Sequence, residues 1–345
     1  MKRVLILSTS HKTRGGITSV VKAHQMGGQW SEYNCRWIET HIDKGVASKI
    51  VYFIKGWFLF FVNVPFCSLV HIHMSEPPSA IRKSLFMPLA KLWGKMVIVH
   101  FHAFSVETTI DSRWRSIYHY MFNSADRVIV LSETWRRAVD DVFELGDRVV
   151  VIPNPCVVRQ SVFRYQRQNH ILYAGTLSAR KGYADMIRAF AKIADIYPEW
   201  SVVFAGNGEI EEGRALAKQL NIERQVSFLG WVDGLDRDRA FKEASIFCLP
   251  SYAEGFPMAI LDAWAYGLPV IATPVGGVLD VAVDGHNILL FNPGDINRLS
   301  ERMAELIQDR ELRDRVVMES WGLVDSKFNL TAINREVGEL YKSLI

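Results

Sequence analysis

Short apolar runs rich in β-branched residues alternate with longer segments of helical periodicity along the whole chain, and this rhythm leaves few folds open. In the first half the runs are Val4–Leu7, Leu69–His73, Met96–Val99, Arg127–Leu131 and Val149–Ile152; they restart with Ile171–Ala174, Ser201–Ala205, Val226–Leu229, Ile246–Leu249 and Val270–Thr273. Strands separated by helices pair in parallel, because each crossover carries the chain back to the same end of the sheet. Runs without a polar face need helices on both sides. The pattern therefore predicts an α/β protein with two doubly wound domains. A length of 345 residues suits two such domains, since a single core rarely grows past about 250 to 300 residues.

Between the two sets of strands lie Pro153-Asn154-Pro155 and the polar stretch Arg164–His170, which read as a linker near residues 153–170. The four cysteines (Cys35, Cys67, Cys156, Cys248) form no Cys-x-x-Cys pair and no zinc spacing, so a reducing cytoplasm is the expected compartment. The opening Met1-Lys-Arg-Val-Leu-Ile-Leu-Ser has too few apolar residues for a signal-peptide core and reads as a buried first strand. From Gly56 to Val70 the chain is apolar and aromatic, but the flanking Lys55 and the internal Asn63 and Pro65 leave it short of the roughly 18 to 20 residues that a spanning helix needs. No membrane-crossing segment is expected.

The net charge of +3 conceals an asymmetry: residues 1–100 carry 13 Lys and Arg against 4 Asp and Glu, a net of +9, which leaves −6 on the rest. Together with Trp57, Phe58, Phe60 and Phe61 beside Lys49 and Lys55, this basic half describes a face for an anionic membrane. The alternative for the aromatic run is a core helix with a solvated lysine. Nucleic acid is not an expected partner.

Most candidate site residues follow a predicted strand, where open parallel sheets bind their ligands. Glu254-Gly-Phe-Pro-Met-Ala-Ile-Leu-Asp262 is a carboxylate loop running into a helix, with Pro257 suited to the first helical position. Amides around Gly255, Phe256, Pro257 and Met258 can then face an anion, while Glu254 stays outside as an acceptor. Arg180-Lys181-Gly182 places two cations before a helix near Tyr183, fit for a diphosphate. Gly206-Asn207-Gly208 is a tight turn, and Trp231-Val232 close another strand. Near the N-terminus, Gly15 and Gly16 open an amphipathic helix, where backbone amides can approach a phosphate.

Four of the ten histidines pair as His71-Ile-His73 and His100-Phe-His102, both members of a pair on one strand face. No carboxylate or thiol joins them at ligand spacing, so they are expected as hydrogen-bonded loop histidines and no metal is expected. Asp236-Arg237-Asp238 reads as an acidic first turn opening a helix over 239–244, again without metal.

The Glu254–Asp262 stretch, the Arg-Lys-Gly loop, the glycine loop at Gly15-Gly16 and Val99-His-Phe-His102-Ala together resemble the retaining glycosyltransferases of family four. The resemblance spans nearly the whole chain and is strongest from Gly175 to Phe291. It implies GT-B architecture, two Rossmann-like domains facing across a cleft: 1–160 for the acceptor, 161–325 for a nucleotide-sugar donor, and 326–345 as a helix packing back on the first. It further implies that Glu254 holds the sugar hydroxyls and offsets positive charge at the anomeric carbon. Lys181, Arg180 and the Gly15-Gly16 amides would take the diphosphate, His102 the donor sugar, Asp262 the ribose, and Trp231-Val232 the base. Asn207 and Gly208 would line the donor pocket, and His73 would lie on the acceptor side. Thr176 stands where the family has an arginine, and Asp262 where it has a glutamate. The implied activity is metal-independent transfer, with retention, from a UDP-sugar to a lipid-linked sugar or surface polysaccharide. The nucleotide-sugar is a substrate, and no cofactor is implied. The expected location is cytoplasmic, peripheral on the inner face of the plasma membrane. A nucleotide-sugar epimerase of the same fold and a non-catalytic sugar-nucleotide binding module are the alternatives.

Overall fold

A computed structural model describes residues 2–159, 162 and 165–345. The expected boundary at 160/161, Arg164 at the head of the expected linker, and Met1 lie outside the described residues. Two compact units result: Met1–Pro155 with Phe328–Ile345, and Cys156–Lys327.

The first unit holds β1 (Val4–Ser8), β2 (Arg36–Glu39), β3 (Leu69–Met74), β4 (Met96–Phe101), β5 (Arg127–Val130) and β6 (Val149–Val151) in one parallel sheet ordered β2-β1-β3-β4-β5-β6. Alternation along the strands divides its core. Leu5, Leu7, Val70, Ile72, Val97 and Val99 face one layer, with Phe60 and Phe86; Val4, Ile6, Leu69 and Ile98 face the other. The latter layer is closed by the C-terminal helix Leu330–Leu344, whose Ile333, Val337 and Tyr341 are buried there. The edge strand β2 was not expected. Its sequence Arg-Trp-Ile-Glu buries only Ile38 and so lacks the continuous apolar run that marks an inner strand.

A second departure concerns the aromatic stretch. It forms a helix from Val46 to Asn63, ten residues upstream of the expected start, continued by a short 3₁₀ turn through Phe66. Residues 46–66 are long and apolar enough, by length and composition, to cross a membrane. Asn63 does not break the helix because it turns inward: its amide donates to the Leu59 carbonyl (2.7 Å) and its oxygen accepts from Arg36. Pro65 follows in the 3₁₀ turn, where its missing N–H costs nothing.

The second unit holds β7 (His170–Ala174), β8 (Ser201–Ala205), β9 (Val226–Gly230), β10 (Ile246–Leu249), β11 (Val270–Ala272) and β12 (Leu289–Leu290), parallel and ordered β12-β11-β10-β7-β8-β9. The order reverses direction between β7 and β10. In open parallel sheets such a reversal, where the following crossovers leave on opposite faces, is where ligands bind, beyond the carboxyl ends of the strands. In the first unit the corresponding point lies between β1 and β3.

Candidate active site

Glu254 follows β10 and Lys181 follows β7, so the strand order puts both at the reversal point of the second unit. Lys181 Nζ donates to Glu254 Oε1, and Ser251 Oγ donates to the same oxygen at 2.6 Å. Glu254 is 6% exposed. A carboxylate this deep is tolerated only when paired and hydrogen-bonded, and here both conditions are met. Ser251 is a site residue that sequence reasoning missed, although its place three residues before Glu254 repeats the Ser-x-x-Glu spacing of a capping box.

The loops that carry the pair are held by close backbone approach. Gly182, at φ +68°, lies so near the Pro250 carbonyl that a Cβ would stand 1.9 Å from its oxygen. Gly276, at φ +56°, presses equally on the Glu254 carbonyl, with 1.8 Å left for a Cβ, and Gly277 N–H donates to Gly255 O at 2.7 Å. Arg180 donates to the Ala253 carbonyl at 2.7 Å, so one of its N–H groups braces the loop ahead of Glu254. Gly255, Phe256 and Pro257 are buried, and Met258 is half-buried. The helix runs from Met258 to Ala265 with Pro257 as its extended N-cap, so it begins one residue later than expected.

Asp262, half-buried on that helix, accepts from Arg237. Burial pushes its carboxyl above the usual range, while Arg237 and Arg159 pull it back. The pairing exists because the helix carrying Arg237 spans Gly234–Glu243, beginning five residues before the expected 239. Asp236-Arg237-Asp238 thus lies within the helix and not ahead of it. Asp238 is held by Tyr266 Oη (2.6 Å) and Lys242 Nζ (2.6 Å), an arrangement of cations and hydroxyls in which no divalent ion is required. No local sequence signal pairs Arg237 with a residue 25 positions away. Asn207 and Gly208 are exposed at the end of β8, Trp231 is 36% exposed, and Val232 is half-buried, all beyond the carboxyl ends of the second unit's strands.

In the first unit, Gly15 and Gly16 lie exposed at the start of the Gly16–Gln25 helix, after β1. His73, next to last in β3, and His102, just after β4, are bonded to each other, Nδ1 to Nε2, at 2.9 Å. Behind them His71 Nε2 lies 3.3 Å from His100 Nδ1, and His71 Nδ1 is 2.7 Å from Tyr341 Oη; the His24 ring lies beside the ladder, 6.1 Å from the His100 ring, with its own Nδ1 2.8 Å from Asn334 Oδ1. Burial lowers the pKa of all five, to about 4 for His24 and about 3 for His102, so the ladder is neutral near pH 7. Three of these residues, His71, His73 and His100, offer ring nitrogens within 4.8 Å of one another. Their planes do not suit one ion: His71 and His73 stack at 4.5 Å with 18° between planes, and a metal must lie in the plane of each imidazole it binds.

Comparison with known proteins places these features in context. A family model described as Glycosyl transferases group 1 matches residues 157–320, and one described as Glycosyltransferase Family 4 matches residues 67–159. An uncharacterized glycosyltransferase of Haemophilus influenzae is 26% identical over 249 residues, 69% of this chain and 70% of that protein. The lipopolysaccharide core biosynthesis glycosyltransferase LpsE of Rhizobium meliloti is 27% identical over 47% of this chain, and the match spans 46%, about half, of its own length. Among solved structures, HepE of Anabaena in complex with UDP superposes with a TM-score of 0.78 at 17% identity, covering 99% of this chain and all of that one. This likeness shows the fold.

Proposed function

Because the chain belongs to the glycosyltransferases of group 1 and family four, we propose that it moves a hexose from a UDP-sugar to a lipid-linked sugar or surface polysaccharide, with retention and without a metal. The observation that carries this reading is the Lys181–Glu254 pair at the strand-order reversal of the second unit. Breaking the anomeric bond builds positive charge on the sugar and negative charge on the departing diphosphate, and prepositioned groups of opposite sign stabilise both. Glu254 would face the sugar and Lys181 the diphosphate, with Arg180 and the amides at Gly15-Gly16 and Gly255–Met258 as further donors. Asp262, positioned by Arg237, would take the ribose hydroxyls; His102 would meet the donor sugar, and His73 the acceptor side. The leaving phosphate would remove the acceptor's proton on the same face, so no dedicated protein base is needed.

The UDP seen in the Anabaena protein favours a uridine donor, and the role of LpsE in lipopolysaccharide core synthesis favours a lipid-linked acceptor. Such an acceptor is offered at the cytoplasmic face of the plasma membrane. The test is thermal stabilisation by UDP, GDP, ADP and their sugar conjugates with and without chelator, followed by the anomeric configuration of the product. A shift with UDP that survives chelator, and a retained anomer, are expected. No shift with any nucleotide would overturn the donor reading, and loss of the shift on chelation would overturn metal independence.

A further inference from the structure

The Val46–Asn63 helix presents two apolar sides, and only one is packed. On the inner side Phe60 is fully buried, the Phe86 ring meets Phe53 and Phe60 edge-on at 5.9 and 5.3 Å, and a Cβ on Gly56 would stand 2.5 Å from the Glu39 carbonyl oxygen. On the outer side Val46, Ile50, Ile54, Trp57, Phe58 and Phe61 are each 39–74% exposed. Their spacing is the three-and-four repeat of a single stripe along the helix. Further exposed apolar side chains adjoin it. Phe66 (71%) ends the segment; Lys95 Nζ donates to the Pro65 carbonyl at 2.9 Å and so brings the turn after Leu92 (81%) and Trp93 (48%) against it. Soluble chains rarely leave so much contiguous apolar surface in water.

We propose that this face docks on an anionic lipid bilayer, with the helix lying in the plane of the interface. Charge selects the occupant. Residues 46–66 carry Lys49 and Lys55 and no acidic residue, within a 100-residue segment of net charge +9; phosphate headgroups complement that surface, whereas a second copy would bring like charge against like. Packing selects the orientation. At 1.5 Å per residue an 18-residue helix is about 27 Å long, enough to approach a bilayer's thickness. Spanning, however, would strip Phe60 and Gly56 from β2 and Phe86, whereas lying flat keeps those contacts and buries only the outer stripe. The lysines then reach outward to the headgroups while their stems stay apolar.

Vesicle binding needs no donor or acceptor, so this inference and the proposed reaction can fail separately. The experiment is co-sedimentation of the whole protein with phosphatidylcholine vesicles with and without phosphatidylglycerol, beside the variant Ile54→Ser/Phe58→Ser/Phe66→Ser, whose changes leave the packed side intact. Binding to the anionic vesicles alone is expected, weakened several-fold by raised salt, released by alkaline carbonate, and lost in the variant while its circular dichroism and thermal transition are retained. Should the triple variant fail to fold, Phe58→Ser alone carries the same comparison. Absence of vesicle binding would overturn the proposal, as would a lipid-free dimer in sedimentation velocity that the variant dissolves. Retention through carbonate would overturn the in-plane orientation in favour of a span.

Discussion

Lys181 and Glu254 neutralise each other where little water reaches, so neither can be removed without cost to the other. Lys181→Ala leaves a buried carboxylate with Ser251 as its remaining bonded donor, a destabilisation of about 3 to 5 kcal/mol. If Lys181 also meets the diphosphate, the same change removes about 2 to 4 kcal/mol of transition-state stabilisation. The two effects separate in the double variant with Glu254→Gln: stability in urea melts is expected to recover and UDP affinity to stay low. Recovered UDP affinity would reduce Lys181 to a neutralising role. Glu254→Gln alone should depress kcat far more than donor affinity, and a pure binding defect would remove Glu254 from the reaction centre. At Asp262 the expectation is pH-dependent. Burial raises its pKa and Arg237 lowers it, so Arg237→Leu should raise it further. Donor KM in that variant should then begin to rise at a higher pH as acid is added, with kcat little changed; an unshifted profile would show that Asp262 does not read the donor. Glu254 and Lys181 were legible because each stands in a local motif after a strand. Arg237 was not, because a contact across 25 residues leaves no trace in either neighbourhood.

Inner strands were legible for a physical reason: burial on both faces removes polar residues, and β1 and β3 are buried at every position. The edge strands β2 and β12 escape the same reading, one because three of its four residues are not buried, the other because it is two residues long. Helix starts were less legible. The helix of 234–243 begins at a glycine with no side-chain cap, and the Val46–Asn63 helix is likewise uncapped, so neither announces itself. Between elements, the glycines set the tolerances of the site. Gly276 combines a left-handed backbone with contact against the Glu254 carbonyl, and alanine there must push the two loops apart. Gly276→Ala is expected to cost about 1 to 3 kcal/mol of stability in the second unit and to weaken UDP binding at least roughly tenfold, read by calorimetry. Unchanged binding would mean that this contact does not shape the donor pocket.

At the scale of the whole molecule, the order of strands is what no local pattern carries. The alternation announced two parallel sheets but not that β7 and β10, or β1 and β3, would be neighbours, and those adjacencies decide which loops meet. Nor could spacing show that His24 and Tyr341, 317 positions apart, bracket one ladder of imidazoles. That ladder makes acid stability a property of the first unit. Its five histidines, four buried and His102 half-buried, are held neutral, and the histidine ion pairs among the described residues, His11–Glu39 and His286–Glu319, lie outside it. Each group has a folded pKa below its unfolded value, for His24 about 4 against 6.5, so between those values the unfolded chain binds more protons. Stability is therefore fully present above pH 6.5 and is lost as pH falls toward 4, by roughly 1 to 3 kcal/mol for His24. The C-terminal helix, tied to the ladder through Asn334 and Tyr341, should be released with it. Urea midpoints at pH 7.5 and 5 are expected to fall steeply for the first unit, and His24→Gln should flatten that dependence while lowering stability at neutral pH, since an amide keeps a bond to Asn334 but takes no proton. A slope unchanged by His24→Gln would place the acid sensitivity elsewhere.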